Sequence, residues 1–373
     1  MRVLVNALSL GSLSGQHVLF GHIAQLAKWT ATQHEYVVLV DDCHSENARC
    51  ALRFSNVSFK EAPSWAGHWA VRSAWEAARI PSLLRSCSID RYFTPAGTIL
   101  PRCSVPQISL AQNPWCLVPE VHRSIGEKTK ARLQRIAYKR AAVSADLMVY
   151  NSRHIQGLYE RNAHSHHLAP SVIAHQGIHE ETHQVAQERR LSIQRNPWRI
   201  LSVSAMAHWK GAETVVNAVA LLRASGIPAE LAMVGPWPDE FYERQIRTLI
   251  AKHKLESAIT IAGKVSVSDL YDHYATARVF CLMSRCESFG IPAVEAQAFG
   301  TPVVGSSSCA MQEIGGDGGL FGLPGDASHT KEMLQFLLTD ETKWEMMSQS
   351  ALNNAAKYRW EFCSRPLLKI FQD

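Results

Sequence analysis

A chain of 373 residues has room for two domains of ordinary size, and 46% hydrophobic against 19% charged residues excludes a disordered polymer. The net charge of +5 is mild, suiting an anionic ligand or a membrane surface and giving no sign of a nucleic-acid binder. Nine cysteines without a CxxC pair read as reduced thiols of a cytoplasmic protein, and no apolar run reaches the roughly eighteen residues of a membrane span.

Taken in order, Arg2 to Asn6 reads as a first strand rather than a signal segment, because Asn6 and Ser9 interrupt the apolar run. The stretch Gly11-Ser12-Leu13-Ser14-Gly15 then forms a turn ahead of a helix from Gln16 to Lys28. Two readings of Gly15 are open: a close backbone approach to a phosphate, or a plain tight turn. Strands at 36–40, 57–59, 89–93 and 105–109, with a helix at 67–85, make an alternating α/β pattern. The loop Ala111-Gln112-Asn113-Pro114-Trp115 leaves the carboxyl end of a strand, where Gln112 and Asn113 are either sugar-binding candidates or an Asn-Pro turn. A helix over 120–142 carries Arg123, Lys128, Lys130, Arg132, Arg135, Lys139 and Arg140, which read as a solvated face or as a rest for anionic lipid.

His179-Glu180-Glu181-Thr182-His183 matches HExxH, a zinc pattern when both histidines share one helix face. No third ligand follows it, so no metal is assigned. Residues 179–197, rich in Gln, Glu and Arg, read as a linker. A strand at 198–204 follows, and Met206 to Gly211 opens a helix whose Lys210 is placed to meet a pyrophosphate. A cation at a helix start is otherwise mildly unfavourable, and that misfit favours function. Further strands read at 230–235, 257–263 and 278–283, the first leaving through Gly235-Pro236.

Glu287 to Val304 is the most informative stretch. Pro292 suits a first helical turn, and Gly300-Thr301-Pro302 stops a helix of 291–299 before another short strand. Glu287 then sits in a loop at the carboxyl end of a strand, and Glu295 one turn inside the helix which that loop opens. The helix N-terminus suits a phosphate, Gly290 lets backbone approach it, and Glu295 is positioned to accept both hydroxyls of a ribose.

The frame S-R-x-E-S-F-G-I-P-x-x-E-A-x-A-x-G-T-P-V-V, from Ser284 to Val304, resembles the E-x7-E signature of retaining, GT-B-type glycosyltransferases of group 1. The likeness continues into Glu313-Ile314-Gly315-Gly316-Asp317, and Tyr358-Arg359-Trp360-Glu361 resembles the segment ahead of the family's terminal helix. The resemblance implies two Rossmann-like parallel-sheet domains facing each other across a cleft. Their expected bounds are 1–178, a linker at 179–197, 198–357, and a C-terminal helix at 358–373 crossing back to the first domain. It further implies a metal-independent hexosyltransferase, cytoplasmic or at the inner membrane face. The donor would be a GDP- or UDP-linked sugar and the acceptor a saccharide or lipid-linked saccharide. Glu287, Lys210 and Asn113 are the implied catalytic residues. Gly15, Lys210, Gly235, Ser288, Phe289, Gly290, Ile291 and Glu295 are implied to bind the donor. Relatives carry an arginine five residues before the lysine, where this chain has Ala205. A sugar phosphorylase or nucleotide-sugar epimerase, and a non-catalytic sugar-nucleotide binder, are the alternative readings.

Overall fold

The computed structural model describes residues 1–10, 13–67, 69–368 and 370. The chain divides into two compact units, one of residues 1–177 with the returning segment from Trp360, the other of residues 178–359.

The first unit is built on a seven-stranded parallel sheet in the order β3-β2-β1-β4-β5-β6-β7. Its strands are β1 (Arg2–Asn6), β2 (Glu35–Val40), β3 (Val57–Glu61), β4 (Arg91–Thr94), β5 (Gln107–Ala111), β6 (Leu147–Tyr150) and β7 (Ser171–Ile173). The central strands are continuous apolar runs because both faces are covered, and the two-residue period of a strand sorts each run into two cores. Val3, Val5, Val38 and Phe93 pack with Val18, Leu19, Ile23 and Leu26 of α1 (Leu13–Trp29). On the other face Leu4, Val37, Leu39 and Tyr92 meet Ile80 and Leu84, which come from a helix at 69–86. The helix after β1 starts at Leu13, so Gly15 lies buried in its first turn rather than in a loop; Gly11 and Ser12 lie outside the described residues.

Between β2 and β3 a helix that the alternation did not signal, α2 (Asp42–Ala51), fills the crossover, and α3 is the helix at Trp69–Ser86. The basic helix α4 (Ile125–Ser144) begins five residues later than the 120–142 expectation. Two short 3₁₀ turns precede it, and Ser124 closes a capping box with Glu127, its Oγ accepting from the Glu127 N–H at 3.1 Å. The helix α5 (Arg153–Ala163) packs against α4.

The returning segment locks into the first unit through Trp360. A Cβ on Gly21 would lie 2.2 Å from the Trp360 ring, so only glycine allows that approach. His17 and His22, on the same helix, hold the ring at 5.1 and 5.0 Å, and His22 Nδ1 shares a 2.9 Å hydrogen bond with Ser364 Oγ.

The second unit has a six-stranded parallel sheet in the order β10-β9-β8-β11-β12-β13. The strands are β8 (Arg199–Val203), β9 (Glu230–Val234), β10 (Ile259–Gly263), β11 (Val279–Leu282), β12 (Val303–Ser306) and β13 (Gly319–Gly322). Counted from its first strand this is the 3-2-1-4-5-6 Rossmann order, in which the chain changes direction between β8 and β11. Residues 179–197, expected as a linker, instead contain α6 (Glu180–Ser192) and belong to this unit. The amphipathic contacts that decide this are tertiary. Thr182 Oγ1 meets Tyr271 Oη at 3.0 Å, and Arg195 donates to the Ala277 carbonyl at 2.6 Å, to Thr301 Oγ1 at 2.8 Å and to the Phe299 carbonyl. Within the HExxH match His179 is the N-cap outside the helix, and Glu180 pairs with Arg359.

Burial holds the His22 imidazole neutral, lowering its pKa to about 3, with His17 adding to the shift. The unfolded chain titrates near 6.5, so this stabilisation is complete above about pH 6.5 and is lost as pH falls toward 3. His179, His183 and His273 are lowered in the same direction, so the His22 share is a difference. His22→Asn is expected to unfold earlier than the wild type at pH 7 and to show a flatter thermal midpoint between pH 7 and 4.5; parallel slopes would exclude this assignment.

Candidate active site

Lys210 and Glu287 leave the two strands that flank the direction change of the second sheet. A parallel sheet opens a crevice there, outside the carboxyl ends of its strands, because the connections on either side run to opposite faces. After β8 the chain makes a 3₁₀ turn, His208–Lys210, and Gly211 reverses it into α7 (Ala212–Ala224). Gly211 has φ +72°, and a Cβ there would lie 2.1 Å from the Met283 carbonyl oxygen. No side chain fits, so the turn after β8 presses directly on the end of β11. Met283 is followed by the loop that carries Glu287, and the two loops interlock: Arg285 N–H donates to the Trp209 carbonyl at 2.7 Å, and Ser284 Oγ donates to it at 3.2 Å.

The result is an ion pair with Lys210 Nζ 2.5 Å from Glu287 Oε1, both side chains mostly buried at 16% and 13% exposure. Ala310 N–H reaches the Glu287 carbonyl at 3.3 Å and holds the loop from its far side, ahead of the short helix Met311–Gly315. The neighbouring Cys309 thiol is pushed up to about 12, first by burial and then by Glu287. It is therefore an inert thiol at neutral pH.

From this loop the chain enters a helix at Ile291–Ala298, preceded by Gly290 at φ +91° and with Pro292 in the first turn. Phe289 is buried, its ring edge-to-face with Tyr358 at 5.4 Å, so its side chain anchors the loop in the core and leaves only its backbone for a ligand. Ser288 and Ile291 are partly exposed beside it. The helix itself is fixed from behind. Gln297 Nε2 donates to the Gly315 carbonyl at 2.8 Å, and Asn354 Nδ2 donates to Gln297 Oε1 at 2.8 Å.

One turn into that helix Glu295 Oε2 accepts a 2.7 Å hydrogen bond from the fully buried Tyr274 hydroxyl. Desolvation raises the Glu295 pKa to about 7, and the Tyr274 bond pulls it part of the way back. Burial, and after it this same carboxylate, raises the Tyr274 phenol. Gly235, with φ +128°, ends β9 and donates to the Gly263 carbonyl at 2.7 Å, so it turns the chain at the same edge of the sheet.

Gly15 and Asn113 lie in the first unit. Asn113 is exposed at the end of β5, and its Oδ1 accepts from the Trp115 N–H at 3.0 Å, the turn-forming use of an Asn-Pro pair. Ala205 is exposed after β8. Arg285, which sequence reasoning passed over, brings a second cation to this edge. It donates to Glu213 Oε1 at 2.9 Å, and Glu213 also accepts from Tyr242 Oη. Its only sequence signal is its place two residues before Glu287. Among the described residues no group of three or more His, Cys, Asp or Glu stands close enough to hold a metal ion.

Replacing Tyr274 by Phe removes the hydrogen bond that, among the described residues, holds the Glu295 pKa down. Carbon-detected NMR titration of Tyr274→Phe is expected to place the Glu295 midpoint above that of the wild type; an unmoved or lower midpoint would contradict the described contact.

Residues 184–354 match the family described as "Glycosyl transferases group 1". The O-antigen chain mannosyltransferase B of Escherichia coli is 32% identical over 124 residues, 33% of this chain and 32% of that protein. A D-inositol 3-phosphate glycosyltransferase of Corynebacterium diphtheriae is 25% identical over 273 residues, 69% of this chain and 62% of its own. The chain thus spans less than two thirds of these relatives. Among solved structures, Anabaena HepE in complex with UDP and glucose superposes with a TM-score of 0.72 at 16% identity, covering 100% of this chain and 99% of that one. WaaG, a glycosyltransferase involved in lipopolysaccharide biosynthesis, superposes at 0.67 with 17% identity and covers 99% of each chain. These superpositions show the fold, two parallel-sheet α/β units of the GT-B class. Over residues 184–354, within its second unit, the chain is similar to the glycosyl transferases group 1 family.

Proposed function

We propose that the protein is a retaining glycosyltransferase that moves a hexose, mannose or a close relative, from a nucleoside-diphosphate donor. The acceptor is a saccharide or lipid-linked saccharide of a cell-surface polysaccharide, met at the inner face of the membrane. The observation that carries this reading is the Lys210–Glu287 pair at the direction change of the second sheet, beside a helix N-terminus opened by Gly290. The kinds of relative support it: mannosyltransferases and inositol phosphate glycosyltransferases by sequence, and a neighbour solved with UDP and glucose by structure.

The chemistry follows from where charge develops. As the bond between sugar and diphosphate breaks, negative charge grows on the leaving oxygens. Lys210 and the N–H groups around Ser288 to Ile291 meet that charge without rearranging. Arg285 is the candidate for the second cation that Ala205 does not supply, its release from Glu213 being the associated cost. Glu287 orients the donor sugar, and donor binding draws Lys210 from Glu287 toward the diphosphate. Glu295 binds the ribose hydroxyls as a carboxylate. Gly15, Gly235 and Asn113 are the remaining contacts proposed for donor and sugar. The Asn113 role requires its carboxamide to leave the Trp115 N–H. The cations and helix N-terminus take the part a divalent ion plays elsewhere, so the reaction is proposed to need no metal.

The test is transfer of label from a panel of GDP- and UDP-sugars into crude membranes, with chelator present and the product anomer assigned by NMR. Labelled acceptor with the donor's anomeric configuration is expected. Free sugar phosphate or an epimerised nucleotide sugar in its place would overturn the reading. Lys210→Ala is expected to lower turnover on the order of a hundredfold to a thousandfold with a smaller change in donor KM, as for removal of one preorganised donor to an anionic transition state. Lys210→Arg is expected to retain part of the rate. A change confined to KM in Lys210→Ala would reduce the lysine to a binding group.

A further inference from the structure

The first unit holds a cavity of about 710 Å³ whose walls are the start of β1, the turns that enter β2 and β3, at 31–35 and 55–58, and Asp90 just ahead of β4. A parallel sheet gathers its amino ends on one edge, so this cavity lies on the edge opposite to Asn113, which follows the carboxyl end of β5. The five residues of β1 set those two edges roughly 16 Å apart. The walls are braced. Asn56 Nδ2 donates to the His34 carbonyl at 3.0 Å and to the Ala27 carbonyl at 3.1 Å, Tyr36 N–H donates to the Asn56 carbonyl at 2.9 Å, and Asp90 N–H donates to the Arg2 carbonyl at 2.8 Å. A preformed space of this volume is of the size that holds a small ligand.

The chemistry of the walls restricts that ligand. Glu35 and Asp90 bring two carboxylates, and the buried Asn56 Oδ1 accepts no hydrogen bond among the described residues. Arg2 already serves protein oxygens: Nη1 donates to the Cys87 carbonyl at 2.8 Å, Nε lies 3.0 Å from Glu35 Oε2, and the backbone N–H donates to Asp90 Oδ2 at 2.6 Å. The Met1 ammonium likewise donates to the Gln33 carbonyl at 3.0 Å. Among the described residues no lysine lines the cavity, so a phosphate would meet two carboxylates without a cation to receive it. No Phe, Tyr or Trp lines it either, so an acyl chain would find no apolar wall. The surplus is of acceptors, beside the hydroxyl of Ser58 and the carboxamide of Gln33, and a ligand rich in hydroxyl groups satisfies both kinds.

We propose that this cavity is an auxiliary saccharide-binding site that holds a stretch of the acceptor glycan. Sugar hydroxyls donate to the Glu35 and Asp90 carboxylates and to Asn56 Oδ1, and accept from Ser58 and Gln33. Holding part of a long glycan on the enzyme raises the effective concentration of its end for transfer, so the gain falls on long acceptors and is absent for short ones. The binding claim stands on the cavity alone. The holding role rests on the transfer to a saccharide proposed above.

The experiment is an amide TROSY NMR titration of the full chain with mannotriose, with spermidine and with UDP. Mannotriose is expected to shift the amides of 32–35 and 55–58 saturably, and UDP to leave them in place. Ser58 is exposed on the edge strand β3, so Ser58→Trp fills the cavity without disturbing the core and should weaken mannotriose roughly tenfold or more. Glu35→Gln keeps the shape, removes one charge and should weaken it several-fold. Circular dichroism of both variants is expected to match the wild type. Spermidine shifting these amides while mannotriose does not would overturn the proposal, as would a mannotriose titration that Ser58→Trp leaves unchanged. In transfer assays Ser58→Trp is expected to raise KM for a polysaccharide acceptor several-fold, with kcat and the KM of a disaccharide acceptor unchanged. An equal change for both acceptors, or none for either, would overturn the holding role. Absence of transfer from every donor would overturn the proposed activity and the holding role with it, while the titration still decides whether the cavity binds saccharide.

Discussion

The close contact between the turn after β8 and the end of β11 is the constraint on which the site depends. Gly211, with its positive φ and no side chain, lets the backbone meet the Met283 carbonyl. Two loops distant in sequence are thereby pressed together, and Trp209, Ser284 and Arg285 stitch them with hydrogen bonds. Lys210 and Glu287 pair because the two loops that carry them are held side by side by these contacts. A buried pair of this kind is weak evidence of stability, since each charge loses its water. What it supplies is a pre-set geometry, and in the proposed function the carboxylate is released when an anion takes its place beside the lysine.

Glu295 extends the same logic to ionisation. Its burial raises it to about 7, and the Tyr274 hydroxyl offsets part of the lost hydration. In the proposed function, a diol that donates two hydrogen bonds favours the charged form, so ligand binding and ionisation would support each other there. The rest of the site has no such latitude. The helix carrying Glu295 is held by Gln297 and Asn354 from behind and by Phe289 against Tyr358 at its start.

The first unit shows a different use of close packing. The chain leaves it at Gly177, forms the whole second unit and returns at Trp360, whose ring lies against Gly21 between two histidines of α1. That return makes the first unit discontinuous in sequence, while the second is a single continuous segment. It also explains why glycine stands at 21 in the middle of a helix, where it would otherwise lower helix propensity.

Much of this was legible in the sequence. Alternating apolar runs and helical stretches set the α/β class, and Pro292 with Gly300 bounded the helix to within a residue of its observed Ile291–Ala298. The spacing of Glu287 and Glu295 put one on a loop and the other a turn into that helix, because these are local consequences of propensity and capping. Residues 179–197 read as a linker because their polar composition hides both a helix and the segment after it, whose anchors, Thr182 in the helix and Arg195 beyond it, find partners 82 to 106 positions away. Arg285 was passed over for the same reason, its partner Glu213 lying 72 positions earlier. The sequence by itself determined the element types and the residues with charge to offer. Which of those charges meet, which lose their water and which face outward was decided only by tertiary packing, because contact and desolvation depend on neighbours the chain brings from far away.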